Sequence, residues 1–260
     1  MSKKVKSKTQ IISIINQKGG VGKTTTVQNV ADYLGRKNYK VLACDMDPQA
    51  SLTIASAIDP NEEENVIYMM ETNHNYIKKR KYYDLLPASI TLSEFDMHFS
   101  ARMGREQSLK LLIEKFEDQY DFILIDCSPT LGLATINSLV ASNKVLIPLQ
   151  TEFYSMKGLS LIFNTIEQIK SNDLNKNLDI FGIVLTLFDK RKKLHKEVKE
   201  NITKNFGEIL FDSFIRSNAD LASAPSHFKS IFDYSPNSYG ANDYKALGNE
   251  IIKRIKKETK

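Results

Sequence analysis

Strand-length apolar runs alternate along this chain with longer segments in which apolar residues return every three or four positions. Strands alternating with amphipathic helices are the pattern of βαβ units, which build a mainly parallel, twisted sheet with helices on both faces. The pattern predicts strands at Thr9–Asn16, Lys40–Asp45, Tyr82–Leu86, Asp121–Asp126, Lys144–Leu149, Ile180–Leu187 and Glu208–Phe211. It predicts helices at Thr24–Arg36, Arg105–Phe116, Leu133–Ala141, Gly158–Ile169, Lys192–Phe206 and Asp243–Lys256. The polar, mixed stretch Asp59–Lys81 reads as a surface excursion between strands. No repeat and no linker divides the chain, so a single α/β domain over residues 9–260 is expected, preceded by a basic tail over residues 1–8.

Composition narrows the class. Hydrophobic residues at 42% and charged residues at 26% are globular proportions, which exclude a disordered or collagen-like chain. The apolar stretches, such as Ile11–Ile15 and Phe122–Ile125, fall far short of the roughly 20 residues that span a membrane. The lysine-rich start is followed by too short an apolar run for a signal peptide, so secretion is not expected. Cys44 and Cys127 each sit beside an aspartate at a predicted strand end and read as buried thiols in a reducing cytoplasm.

The net charge of +5 hides a stronger asymmetry. Residues 1–10, 78–81, 190–199 and 251–260 hold 19 of the 36 Lys and Arg residues but only Glu197 and Glu258 among the acids. The rest of the chain is net acidic, so positive charge is concentrated in patches that suit a polyanionic partner.

The chemistry concentrates after the first strand. Ile11–Ile15 runs into Asn16-Gln17-Lys18-Gly19-Gly20-Val21-Gly22-Lys23-Thr24-Thr25, a strand, a glycine-rich turn and a helix start. That is the context of a phosphate-binding loop, whose backbone N–H groups form an anion nest at a helix N-terminus. Lys23 would reach the terminal phosphates of ATP, and Thr24 would place its hydroxyl on Mg²⁺. Glycine is missing at Gln17, where the strict Walker A pattern requires it. A dinucleotide-binding reading fails because Thr25 occupies the last glycine position. Two more predicted strands end in carboxylates, at Asp45 with Asp47 beyond it and at Asp126, and strand carboxyl ends face the ligand crevice of such sheets. Carboxylates at Asp45 and Asp126 there fit the outer shell of Mg²⁺ through water.

Lys18-Gly-Gly-Val-Gly-Lys-Thr-Thr resembles the deviant Walker A motif of the ParA/MinD superfamily. The resemblance implies that Lys18 reaches into the ATP of a partner subunit, that Cys44-Asp45-Met46-Asp47-Pro48 is a switch segment in which Asp47 positions the attacking water, and that Ile125-Asp126 is a Walker B strand end. It extends through Leu149-Gln150-Thr151-Glu152, Thr186-Leu187-Phe188-Asp189, Ala224-Pro225-Ser226-His227 and Tyr234-Ser235-Pro236. By the same resemblance Arg216 and Asn218 lie on the adenine side. Arg191 matches a DNA-contacting arginine and heads a basic run of Lys190, Arg191, Lys192 and Lys193. Ser217 and Asp220 stand where some members carry DNA-binding arginines, which speaks against a DNA role for that loop. The resemblance implies a cytoplasmic, nucleoid-associated ATPase that forms a homodimer with ATP, binds double-stranded DNA non-specifically and answers to a ParB-like centromere-binding protein. With the first strand beginning near residue 9, no N-terminal helix-turn-helix and no operator recognition are expected.

Two other classes stay open on the sequence. A MinD-like ATPase would insert its last helix into lipid, and Leu247, Ile251, Ile252 and Ile255 lie near one face there among lysines. That stripe lacks an aromatic anchor and equally suits a helix packed on its own domain. A metabolic enzyme of the dethiobiotin-synthetase kind would use a related loop to activate a carboxylate.

Overall fold

A strand that is apolar on both faces must be covered on both, and the central strands of this chain are of that kind. Residues 8–61, 64–72, 74–152 and 155–258 are described in the computed structural model. The expected tail over residues 1–8, Lys8 apart, therefore lies outside the described residues. The strands are β1 (Gln10–Ile14), β2 (Val41–Met46), β3 (Lys78–Lys79), β4 (Asp84–Leu86), β5 (Phe122–Cys127), β6 (Lys144–Gln150), β7 (Asp179–Phe188) and β8 (Leu210–Arg216). They form one sheet in the order β3-β4-β2-β5-β1-β6-β7-β8, parallel throughout except for β3 against β4.

The helices are α1 (Lys23–Arg36), α2 (Ser51–Ala55), α3 (Val66–Thr72), α4 (Phe95–Phe99), α5 (Ser108–Ile113), α6 (Leu133–Ala141), α7 (Ser155–Ser171), α8 (Lys193–Phe206), α9 (Ala219–Ser223), α10 (Ile231–Tyr234) and α11 (Tyr239–Glu258). Alternate residues of one strand enter different cores. Ile11 of β1 and Ile123 and Ile125 of β5 join a cluster with Leu159, Ile162 and Ile166 of α7. Ile12 and Ile14 of β1 and Leu124 of β5 join a second cluster with Val27, Val30 and Leu34 of α1 and Tyr244, Leu247 and Ile251 of α11. The helical residues recur at three- and four-residue spacing, the stripe of a helix lying on a sheet.

From β1 the chain turns toward β2 on one side, and α6 later carries it to β6 on the other. Loops that leave the carboxyl end of β1 therefore diverge and open a crevice there.

Several boundaries differ from the sequence pattern, each for a visible reason. Within Asp59–Lys81, α3 buries Val66, Ile67, Met69 and Met70 in the first core, so this part is not a surface excursion. Seven helical residues between polar flanks are too few for the periodicity to stand out. β8 continues to Arg216 through the polar Asp212 and Ser213, whose amides donate to Glu250 of α11 at 3.0 and 2.8 Å. Those two bonds occupy N–H groups of an edge strand, the feature that alternation alone cannot reveal. The expected helix at Arg105–Phe116 is a 3₁₀ turn over Arg105–Gln107 followed by the shorter α5. Leu247 and Ile251 are buried, and Ile252 and Ile255 pack against the same core, so the apolar stripe of α11 covers its own domain. Both thiols are buried, and burial pushes that of Cys127 up to about 12.

Close packing of α1 gives a test. A Cβ at Gly35 would stand 1.7 Å from the Tyr82 carbonyl oxygen, a backbone atom that cannot swing aside, whereas one at Gly248 would meet the Tyr33 ring. Gly35→Ala is expected to destabilise the fold by about 2–3 kcal/mol in urea unfolding, and Gly248→Ala by less, because a ring shifts more readily than a main chain.

Candidate nucleotide site

The phosphate loop is braced before it turns. Beyond β1, Asn16 is buried, donates from Nδ2 to the Pro148 carbonyl at 2.7 Å and accepts the Lys18 amide at 2.9 Å. Val21 is buried and anchors the middle of the loop. Gly20 and Gly22 have φ of 74° and 90°, the left-handed region, while a Cβ there would meet nothing within 4 Å. Conformation and not crowding demands glycine at both. α1 then starts at Lys23, and the Thr26 amide closes its first turn on the Gly22 carbonyl at 2.9 Å. The amides of Lys23, Thr24 and Thr25 have no carbonyl one turn earlier, and the first turn holds no acidic side chain. An unfilled helix N-terminus with open space above its glycines is shaped for an anion.

The two lysines of the loop go different ways. Lys23 is buried, and burial lowers its pKa against the pull of Asp126 and Asp47. Its ammonium donates to the Lys18 carbonyl at 3.3 Å. Lys18 is half exposed; its ammonium ion-pairs with Glu152 and donates to Gln150 Oε1 at 2.9 Å.

Parallel register sets Asp45 and Asp126 side by side at the ends of β2 and β5. Asp45 accepts from the Thr53 amide at 2.9 Å, the Thr53 hydroxyl at 2.7 Å and the Asp47 amide at 3.2 Å, bracing the turn into α2. Burial nevertheless raises its pKa to about 6. Asp126 is buried with no hydrogen bond made to either carboxylate oxygen. Burial and then the neighbouring Asp45 hold its pKa well above the usual carboxylate range, although the Thr24 hydroxyl and Lys23 act the other way. Asp47 accepts the Gln49 amide at one oxygen, at 3.0 Å.

Gly20, Lys23, Thr24 and Asp47 line one cleft of about 430 Å³, together with Gln28 and Pro225. A buried carboxylate without a donor, next to a threonine hydroxyl and an ammonium, fits a hydrated cation above it. Among the described residues no cluster of three or more His, Cys, Asp or Glu could hold a metal unaided, so such a cation would need oxygens from a ligand. The residues thus fit Mg²⁺ bound together with a nucleotide.

A second cleft of about 760 Å³ opens beyond β7 and β8, lined by Glu152, Lys190, Arg191, Lys192 and Arg216 among others. Arg216 lies there but is engaged: it forks onto Asp243, with Nε–Oδ2 at 2.9 Å and Nη2–Oδ1 at 2.5 Å, and stacks on Tyr239. Asn218 does not line this cleft; its side chain accepts the Leu221 amide at 3.2 Å and caps α9. Arg191 forks onto Asp189 at 3.0 and 2.9 Å, and the Asp189 amide donates to His195 Nδ1. Lys193 pairs loosely with Glu197 at 3.5 Å. Sequence reasoning did not single out Thr53 or Asp243, and it named Glu152 only within a matching segment, without a role. Each serves another side chain of the site, and one sequence carries no signal for that.

Loop, helix start, paired carboxylates and sheet order together define a P-loop nucleotide-binding domain. A family model described as an AAA domain matches residues 9–180. The chain is 38% identical over 250 residues to the chromosome-partitioning ATPase Soj of Treponema pallidum, covering 92% of this chain and 96% of that protein. A plasmid partition protein of Borrelia burgdorferi B31 bound to AMPPNP superposes with a TM-score of 0.79 at 26% identity, over 96% of this chain and 100% of that one. A Mycobacterium smegmatis structure described as cobyrinic acid a,c-diamide synthase with bound ATP analog and magnesium superposes with a TM-score of 0.84 at 29% identity, over 95% and 96%. The chain belongs to the Soj/ParA family of partition ATPases.

Asp126→Asn removes a buried charge whose burial outweighs what Thr24 and Lys23 offset. The nucleotide-free variant is expected to be more stable than wild type, by on the order of 2 kcal/mol at neutral pH. A carboxyl whose pKa is raised on folding stabilises in its protonated form, a contribution lost as pH rises through the folded pKa. The advantage of the variant should therefore be larger at pH 7.5 than at pH 5 in thermal unfolding.

Proposed function

We propose that this ATPase is a dimerisation switch that binds DNA without sequence preference and acts in segregating a plasmid or chromosome. The observation that carries the reading is the divergence of the two loop lysines. Lys23 lines the phosphate cleft, whereas Lys18 lines a separate cleft beside Leu149 and Leu161 and stands half exposed. A lysine whose side chain lies outside the phosphate cleft of its own subunit supports a role at that of a second one.

In this reading the amides from Gly19 to Thr25, with Val21 holding the loop in place, cradle phosphate oxygens, and Lys23 neutralises them. The Thr24 hydroxyl and, through water, Asp126 and Asp45 hold Mg²⁺, which supplies charge neutralisation at the phosphates when bound. Asp47 keeps an oxygen toward the cleft and orients the attacking water. Arg216 and Asn218 stand on the base side, contributing the wall of the wider cleft and the cap of α9 more than direct contacts. Lys190, Arg191, Lys192 and Lys193 supply phosphate contacts to DNA, and a ParB-like centromere-binding protein regulates turnover at the nucleoid.

The synthase description of the M. smegmatis structure would favour small-molecule chemistry. It stands at 29% identity against 38% for the Treponema Soj protein, and partition is the better supported reading. Lipid insertion through α11 is opposed by the burial of Leu247 and Ile251 in the domain's own core. No helix among the described residues is long and apolar enough to cross a membrane.

Two experiments test the switch. Asp47→Ala is expected to bind ATP, hydrolyse it at a small fraction of the wild-type rate and accumulate as dimer in light scattering; hydrolysis at the wild-type rate would assign the water to another residue. DNA binding should require ATP, and each phosphate contact removed from the complex should lower the log–log salt slope by roughly 0.9. Lys192→Ala with Lys193→Ala should lower it by about twice that. Arg191→Ala should lower it less, because its guanidinium is already forked onto Asp189. An unchanged slope in both variants would remove this run from the DNA surface.

A further inference from the structure

Lys18 is held at three points. Its amide donates to Asn16 Oδ1 at 2.9 Å, and its carbonyl accepts from Lys23 Nζ at 3.3 Å. Its ammonium is ion-paired with Glu152 and donates to Gln150 at 2.9 Å. Gln150 ends β6 and Glu152 follows it, the Glu152 amide donating to the Gln150 carbonyl at 2.9 Å. The segment after β6 thus presents two acceptors to one ammonium.

We infer that Glu152 is a positioning residue that parks Lys18 on its own subunit, so that this ion pair must open before an ATP dimer can form. The inference rests on the reading of Lys18 given above. An ammonium that must reach a second subunit cannot stay on an acceptor of its own, and a carboxylate competes with phosphate oxygens for the same donor. Lys23 links the two events. When its ammonium turns to phosphate it gives up the Lys18 carbonyl, and the loop's inner hold on residue 18 is released. The amide bond to Asn16 leaves the side chain free to turn, so the tether to Gln150 and Glu152 is then the hold to be broken.

The pair is suited to a threshold and not to a lock. The two side chains are 49% and 47% exposed, so water and salt weaken their attraction. Exposed pairs of this kind shift an equilibrium constant by roughly fivefold or less. A dimer must open two of them, which multiplies the effect without making the closed state permanent.

The test measures ATP-dependent dimerisation of the whole chain by sedimentation velocity for wild type, Glu152→Gln, Glu152→Asp, Lys18→Gln and the Lys18→Gln/Glu152→Gln double variant. Binding of a fluorescent ATP analogue to each monomer reports that the site is intact. Glu152→Gln is expected to lower the protein concentration at half-dimerisation by roughly 2- to 10-fold, with the difference shrinking at high salt. Glu152→Asp keeps the charge and should return the midpoint toward wild type. On the Lys18→Gln background, Glu152→Gln should add nothing, an outcome that a merely structural role would not give. A Glu152→Gln midpoint equal to or higher than wild type overturns the latch. If instead wild type fails to dimerise with ATP, or Lys18→Gln dimerises as wild type does, the dimer reading itself falls.

Discussion

A carboxylate buried with no donor is the constraint around which this site is organised. Asp126 sits at the end of β5 beside Asp45 of β2, both removed from solvent, and the Lys23 ammonium offsets part of the Asp126 charge. The arrangement is electrostatically unfinished, because burial, and then neighbouring carboxylates, push the acids toward protonation while burial pushes Lys23 toward its neutral form. Such strain persists only where the surrounding structure over-determines it. Here the surroundings are the centre of a parallel sheet covered on both sides, whose register leaves the two strand ends no freedom to separate. A ligand that brings both anionic oxygens and a divalent cation completes the charge pattern, which is a physical reason for this domain to take its nucleotide together with metal.

The same frame explains why the loop is stiff at its base and free at its tip. Asn16 ties the loop to β6, and Asp45 with Thr53 ties the turn after β2 to α2, so both walls of the cleft hang on the sheet. Between them the glycines carry no Cβ and touch nothing. Rigid walls on both sides of the glycine turn limit where an anion could lie, and hence which side chains could respond to it. Asp47, one residue beyond β2, is within that reach, and its position follows from the brace on Asp45.

Much of this was legible in the sequence because it rests on local signals. Strand, glycine turn and helix start are contiguous, and aspartates at strand ends are read from the strand pattern alone. α3 was hidden because a short helix between polar flanks has no time to show its period. The engagement of Arg216 by Asp243, of Asn218 as a cap and of Lys18 by Glu152 joins residues that are 27, 3 and 134 positions apart. Spacing informs the second of these; the first and third are set by how α11 and β6 pack, which a single sequence does not encode in any short window.

Charge use across the fold also bears on what kind of contact the basic run would make in the proposed DNA complex. Arg36, Arg191, Arg216 and Arg254 each hold a carboxylate, at Asp32, Asp189, Asp243 and Glu250. Guanidinium forks are the groups that read guanine edges, and here they are engaged within the protein. The cations left toward solvent in the run are mainly lysines, with Lys190 lying over the Phe214 ring and Lys192 exposed. Ammonium groups on flexible stems meet phosphates as point charges and carry little information about base sequence. A surface built this way would gain affinity by multiplying contacts, so doubling it in the proposed dimer would change occupancy far more than refining any one residue. Coupling such a surface to ATP therefore requires only that ATP control the number of subunits joined.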